Sequence, residues 1–208
     1  MAQVLNQTDS AKYLGLNIHK SLSWDSHIDK ITKKVNSTLA FLGHNVSRCP
    51  TTIKAQCYTT LVRPTLAYAS SIWSASKKDS INKVEAVQRR AAMFATGDYQ
   101  RTSSVTAMLQ QLQWQSLQSR RAYAQTVMLY CIVYNLVDTP AEHHINRTSL
   151  RTRGHSLRFL VPHTRTTVYR TSFFPQAIRL WYQLPAGSVV QVDTLDSFKA
   201  QLLRATLI

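Results

Sequence analysis

From Asp25 onward, apolar residues recur at three- and four-residue steps, a rhythm that predicts a chain built mostly of helices. Ile28, Ile31, Val35, Leu39 and Leu42 make one apolar face, with Asp25 as a candidate N-cap and Gly43 as a stop. The stretch "CPTTIKAQCYTTLVRPTLAYASSIWS" reads as a second helix, with Ile53, Cys57, Leu61, Leu66, Ala69 and Ile72 or Trp73 on its buried side. Pro64 should kink or split it, because proline removes a backbone donor and clashes with the preceding turn. Asp79 caps a third helix, whose face is Ile81, Val84, Val87 or Gln88, Ala91 and Phe94, and Gly97 closes it. A fourth helical region runs from Ser104 to Val137 with a break near Gln113-Trp114. Its core candidates are Leu109, Leu112, Leu117, Val127, Leu129, Ile132 and Leu136. Ile31, Val35, Leu61, Val84, Leu117 and Leu129 are expected to be buried.

The two ends depart from this rhythm. Val4 to Leu5 and Tyr13 to Ile18 are short β-type runs with the turn-rich "NQTDS" between them, which predicts a small hairpin. Gly15 interrupts the second run, as at a bulge or a close backbone approach. From Asp138 to Arg170 the periodicity lapses, punctuated by Pro140, Gly154 and Pro162, with a short strand expected at Leu157 to Val161. So long a connection is usually functional or disordered. "SFFPQAIRLWYQLP" then forms a short helix capped by Ser172. "TLDSFKAQLLRATLI" forms another, capped by Thr194 and buried through Leu195, Phe198 and Leu202. The expected fold class is mainly α: a helical bundle with a small N-terminal β-hairpin and a short C-terminal helical subdomain. The boundaries fall at 1–24, 25–137 and 138–208.

Charge narrows the partner. The 208 residues carry a net charge of +15, which favours a polyanion, with nucleic acid ahead of a membrane surface. Every Lys except Lys199 lies at or before Lys83. The span from Tyr99 to Val192 holds ten Arg and only two acids, Asp138 and Glu142. The guanidinium fork grips phosphate through two bonds and stacks on bases. Candidate phosphate contacts are Lys30, Lys33 and Lys34 off the first apolar face, Arg120 and Arg121, and Arg147, Arg151, Arg153, Arg158, Arg165 and Arg170 in the acid-free stretch. The plain alternative is a solvated charged face or, for Arg120-Arg121, ion pairs that fix a helix. Trp24, Trp73, Trp114 and Trp181 could stack bases, although such aromatics are more often core anchors.

Several chemistries find no support. Cys49, Cys57 and Cys131 are too few and too widely spaced for a zinc knuckle, and His143-His144 would point apart on a helix. No metal site is expected. Three thiols without a paired framework suit a reducing, intracellular setting, nuclear or cytoplasmic. "MAQVLNQTDSAK" has neither the basic start nor the apolar run of a signal peptide. No apolar stretch reaches ~18 residues, so no membrane span is expected. There is no GxxxxGK[ST], GxSxG or HExxH. The ten acids are scattered without an adjacent Asp pair, and Asp25, Asp79 and Asp196 read as helix-terminal residues. Two-metal nucleotidyl transfer needs clustered carboxylates, so no catalytic residue is assigned.

Six stretches occur in one order: "YLGLNIHKSLSWDSHI", "TLVRPTLAYASSIW", "INKVEAVQRRAAMF", "LQWQSLQSRRAYAQTVMLYCIV", "SFFPQAIRLWYQLP" and "TLDSFKAQLL". From about Lys12 to Leu203 the chain resembles the C-terminal part of LINE-type (non-LTR) retrotransposon reverse transcriptases of the jockey-like kind. The resemblance implies that Tyr13, Leu14 and Gly15 form a primer-grip-like hairpin, with Leu16 to His19 completing the strand, and that 25–137 is a thumb-like domain. It further implies an RNA or DNA template-primer as partner, fingers and a catalytic palm lying upstream, and Mg²⁺ only in a full-length polymerase. No cofactor is expected for this chain, which should bind nucleic acid without catalysis. One departure is Tyr182, which stands where the family's Trp-Asn-x-Leu-Pro pattern has Asn. The competing reading is a helical, basic protein-interaction module derived from such an element. A membrane-surface role is disfavoured, because the apolar faces are spread over helices that can bury one another.

Overall fold

Leu14 and Gly15 turn the chain back on itself. Both have positive φ, 46° and 83°, as two-residue hairpin turns need to match the right-handed twist of their strands. They join β1, Ser10–Tyr13, to β2, Leu16–His19, in an antiparallel pair with Tyr13 opposite Leu16 and Ser10 opposite His19. The sequence pattern places the turn at "NQTDS" and makes Tyr13 to Ile18 one strand; the turn instead divides that run. Gly15 is a turn residue, not a bulge, because it adopts positive φ without steric cost. Val4 and Leu5 lie outside the described residues, which in this computed structural model are 8–73, 77–146, 159–184 and 194–206. The described chain is mainly helical, with this hairpin as its two-stranded sheet.

Contacts divide the chain into two units. The first contains the hairpin, α1 (Asp25–Asn45), α2 (Thr51–Cys57), a π-helical turn (Tyr58–Val62), α3 (Arg63–Ala67), α4 (Lys78–Thr96) and α5 (Val105–Gln111). The expected face of α1 is buried at Ile28, Ile31, Val35, Leu39 and Leu42. That of α4 is buried at Val84, Val87, Ala91 and Phe94, and Gln88 beside them donates to the Gln115 carbonyl at 2.8 Å. Polar pairs link the two helices: Ser80 Oγ to Asp25 Oδ1 at 2.7 Å, Lys83 Nζ to Asp29 Oδ1 at 2.6 Å, and Arg90 Nη2 to Asn36 Oδ1 at 2.8 Å. Partners are 54 or 55 residues apart throughout, so α1 and α4 run parallel in one register. Gly97, at φ 73°, closes α4 as expected. Gly43 does not close α1, which continues to Asn45, since one glycine within a 21-residue helix costs only about 1 kcal/mol.

The proline region departs from the spacing. Pro64 has no N–H to offer the preceding turn. Just before it the helix widens to a π turn, in which the Arg63 N–H reaches the Tyr58 carbonyl. Tyr58, Val62 and Leu66 are buried, whereas Ile53 and Leu61 are 43% and 55% exposed. Leu66 lies four residues after Val62 but five after Leu61, so helical steps align it with Val62. Tyr58 then stacks on Trp114, ring centroids 4.3 Å apart.

Left-handed residues also close the next two helices after α4. At Gln113, φ 54°, the N–H bonds the Gln110 carbonyl and the Trp114 N–H bonds the Leu109 carbonyl. This is the paired closure that satisfies the last free carbonyls of a helix. It produces the expected break near Gln113-Trp114. Met108, rather than Leu109 or Leu112, is the buried residue of α5. Asn135, φ 55°, ends α6 (Leu117–Val133) in the same way, through Asn135 N–H to Ile132 O and Leu136 N–H to Cys131 O. The helix therefore stops short of Val137, and Leu136 is exposed.

The second unit contains Ala69 to Trp73, α6 from Gln118, α7 (Thr167–Arg170), α8 (Phe173–Tyr182) and α9 (Leu195–Thr206). Its core joins Leu129, Tyr130 and Val133 to Phe159, Ile178, Trp181, Phe198 and Leu202. The Phe198 ring stacks on Tyr130 at 4.1 Å and lies 5.9 Å from Trp181. Thr194 Oγ1 accepts the Ser197 N–H ahead of α9. The Tyr182 hydroxyl accepts the Phe159 N–H at 3.1 Å and donates to the Phe159 carbonyl at 2.6 Å. An amide at this position could offer one donor and one acceptor; the phenol supplies both. Of the strand expected at Leu157 to Val161, Phe159 is a buried single bridge residue, and Leu157 and Arg158 lie outside the described residues.

Candidate nucleic-acid interface

Within the first unit, the hairpin, α1 and α3 enclose a cleft of about 460 Å³. Its rim carries Lys12 from β1 and Lys30 and Lys34 from α1, and its walls are Gly15, His27, Ile31, Pro64, Thr65 and Tyr68. Among the described residues, no carboxylate lines it. Charge is sorted around α1. Asp25 accepts bonds from Lys77 and Ser80, and Asp29 accepts one from Lys83, so the helix's acids face α4 while Lys30 and Lys34, one turn apart, line the cleft. Among the described residues, none of Lys12, Lys30 and Lys34 is ion-paired. Three like charges held close together favour a multiply charged anion between them.

The hairpin tip is tied to this cleft. Tyr68 Oη donates to the Leu14 carbonyl at 2.8 Å. A Cβ at Gly15 would stand 3.4 Å from Tyr68 Cε1, so the close approach at Gly15 is made by a ring of the same chain. Tyr13 and Leu14 are 65% and 71% exposed.

The other sequence-derived candidates are dispersed. Lys33 is exposed on α1 but outside the cleft lining. Arg120 is half-buried on α6. Arg121 is buried, its guanidinium carbon 5.6 Å from the centre of the Trp73 ring, so its charge is spent inside the second unit. Arg165 and Arg170 are exposed, and the Arg170 carbonyl accepts from Arg179. Arg147, Arg151, Arg153 and Arg158 lie outside the described residues. Trp73 and Trp181 are wholly buried and Trp114 stacks on Tyr58; all three anchor cores. Reading by helical face missed Lys12, His27 and Tyr68. Tyr68 sits within "TLVRPTLAYASSIW" and Lys12 immediately before the hairpin's Tyr13, but neither position alone reveals that they meet. Among the described residues, no cluster of three or more His, Cys, Asp or Glu could hold a metal ion. No helix among them is long and apolar enough to cross a membrane.

His27 couples the cleft to the hairpin. Its Nδ1 accepts the Asn17 N–H at 3.3 Å, while Asn17 Nδ2 donates to Ser26 Oγ. Burial, and then the nearby Lys30 charge, hold its pKa below the usual 6.5. The unfolded chain therefore binds this proton more readily than the folded one, and stability must fall as pH drops through 6.5 towards the lower folded-state pKa. Asp25 acts lower, in the window from 3.8 down to about 2, because Lys77, then Ser80, stabilise its carboxylate. The urea midpoint should be lower at about pH 5 than at about pH 8. His27→Gln should remove much of that difference, and an unchanged difference would place the titration elsewhere.

No protein-family model matches the chain, and no solved structure does. Two curated proteins of Drosophila melanogaster are similar to it. One is the probable RNA-directed DNA polymerase from transposon BS, 30% identical over 91 residues, covering 42% of this chain and 10% of that protein. The other is the probable RNA-directed DNA polymerase from transposon X-element, 26% identical over 94 residues, covering 44% of this chain and 10% of that protein. The match thus spans about a tenth of the length of either relative. Over some two-fifths of its length the chain is similar to transposon-encoded RNA-directed DNA polymerases, in agreement with the resemblance carried by its six ordered stretches.

Proposed function

We propose that the chain binds the sugar-phosphate backbone of RNA or DNA template-primer through the cleft between hairpin and α1, without catalysing nucleotide addition. One observation carries this reading: Lys12, Lys30 and Lys34 line a cleft with no carboxylate among the described residues, beside the exposed Tyr13-Leu14-Gly15 tip. The similarity to two RNA-directed DNA polymerases supports it. Exposed Lys33 would extend the contact along α1; exposed Arg165 and Arg170 of the second unit, with Arg147, Arg151, Arg153 and Arg158, are proposed as further phosphate contacts in their own right. Phosphate contacts position a nucleic acid without reading its sequence, so binding should be indifferent to sequence. The scattered acids leave no pair to hold two metal ions, so Mg²⁺, fingers and palm would belong to a longer polymerase. A primer should not be extended by this chain alone.

Fluorescence anisotropy on mixed-sequence oligonucleotides over a salt series tests the proposal. Affinity should fall steeply with salt, and replacing Lys30 and Lys34 by Ala should lower the log–log slope by about 0.7–0.9 for each lysine removed. A slope unchanged in the double variant would remove the cleft from the interface. Binding that ignores salt would favour a protein-interaction module, for which the exposed apolar stripe of Ile53 and Leu61 is the supporting feature.

A further inference from the structure

The cleft has an apolar wall as well as a cationic rim. Ile31, Pro64 and Tyr68 line it together with Lys12, Lys30 and Lys34. Phosphate alone needs only the rim. Tyr68 is 56% exposed, yet its hydroxyl is committed to the Leu14 carbonyl. A ring held by its polar end and still open to solvent has little freedom left to lose on binding, as a stacking platform should. The volume of about 460 Å³ lies within the range of small-ligand sites.

We infer that this cleft takes one unpaired nucleotide of a strand, its base against Tyr68 and Pro64 and its flanking phosphates on Lys12, Lys30 and Lys34. A paired base has both faces covered by stacked neighbours and its hydrogen-bonding edge occupied. It can reach a wall of this kind only after leaving the stack, which costs free energy. The site therefore selects single-stranded over duplex nucleic acid. Electrostatics alone would favour the duplex, whose charge density is higher. This inference rests on the phosphate-binding reading above and adds to it a preference that phosphate contacts cannot produce.

The full chain is titrated, by fluorescence anisotropy at one salt concentration, with three labelled probes of equal length: a mixed-sequence single strand, its blunt duplex, and a single strand with abasic sites. The single strand should bind about tenfold more tightly than either of the others, the scale of one base–aromatic stack. Tyr68→Phe keeps the ring and should keep the preference. Tyr68→Leu should abolish it while leaving the salt slope intact. Equal binding of all three probes by the wild-type chain, or a preference that survives Tyr68→Leu, overturns the inference and leaves the phosphate-binding reading standing. Should Tyr68→Leu fail to fold, the abasic strand decides: binding as tight as that of the intact strand overturns the stacking. Failure of every probe to bind overturns both readings.

Discussion

Leu66→Asp should destroy the cooperative unfolding transition of the first unit, whereas Leu61→Asp should change its stability by no more than about 0.5 kcal/mol. Leu66 is 1% exposed and Leu61 55%. An aspartate at Leu66 would bury a charge with no designed partner, a cost of several kcal/mol. That is comparable with the whole stability of a small domain, about 5–15 kcal/mol. At Leu61 the carboxylate would stay in water. Circular dichroism followed through urea, on both variants, distinguishes the two sites. If Leu61→Asp unfolds the chain and Leu66→Asp does not, the phase of the helix through Pro64 is wrong. Leu61, which the helical spacing also places inside, would then be the buried residue of the pair.

Trp181→Ala should destabilise the second unit by about 3–5 kcal/mol, the range for removing a large core aromatic. Trp181 is fully buried, its ring 5.9 Å from both Phe159 and Phe198, and Phe198 in turn stacks on Tyr130. Its loss leaves a cavity between α8 and α9 that Ala177 and Ile178 cannot fill without moving the helix. Tyr182→Phe is the milder companion. It removes both bonds to the Phe159 backbone and should cost about 1 kcal/mol. Far-ultraviolet and near-ultraviolet circular dichroism through a urea titration measure both. A loss below about 1 kcal/mol for Trp181→Ala would return this residue to the surface, where it could stack on a ligand.

The helices themselves were legible in the residues. α1 and α4 carry their apolar faces at helical steps, as from Ile28 to Leu42, and a buried face of that kind needs no distant partner to be recognised; α6 buries Arg121, Gln125 and Thr126 among its apolar residues, which its period does not reveal. The break at Gln113 and the closure at Gly97 were legible too, because turn chemistry is local. The family resemblance rested on six short stretches in order, and the similarity of part of the chain to two transposon polymerases supports it.

Tertiary packing decided what local pattern leaves degenerate. Two apolar stripes run side by side along α2 and the π turn, and only the stacking of Tyr58 on Trp114 shows which is buried. The hairpin's register depended on where positive φ is tolerated, and that put the turn at Leu14-Gly15. Periodicity had left Arg121 as a surface cation until its burial beside Trp73. The cleft was the least legible feature. Lys12, Lys30 and Tyr68 are far apart in sequence and meet only because the hairpin folds onto α1 and Tyr68 reaches back to Leu14. Sequence by itself determined which residues are charged and which segments are helical, since both follow from composition and short-range period. Which charges share one space depends on contacts between residues many positions apart, and only the folded chain brings those together.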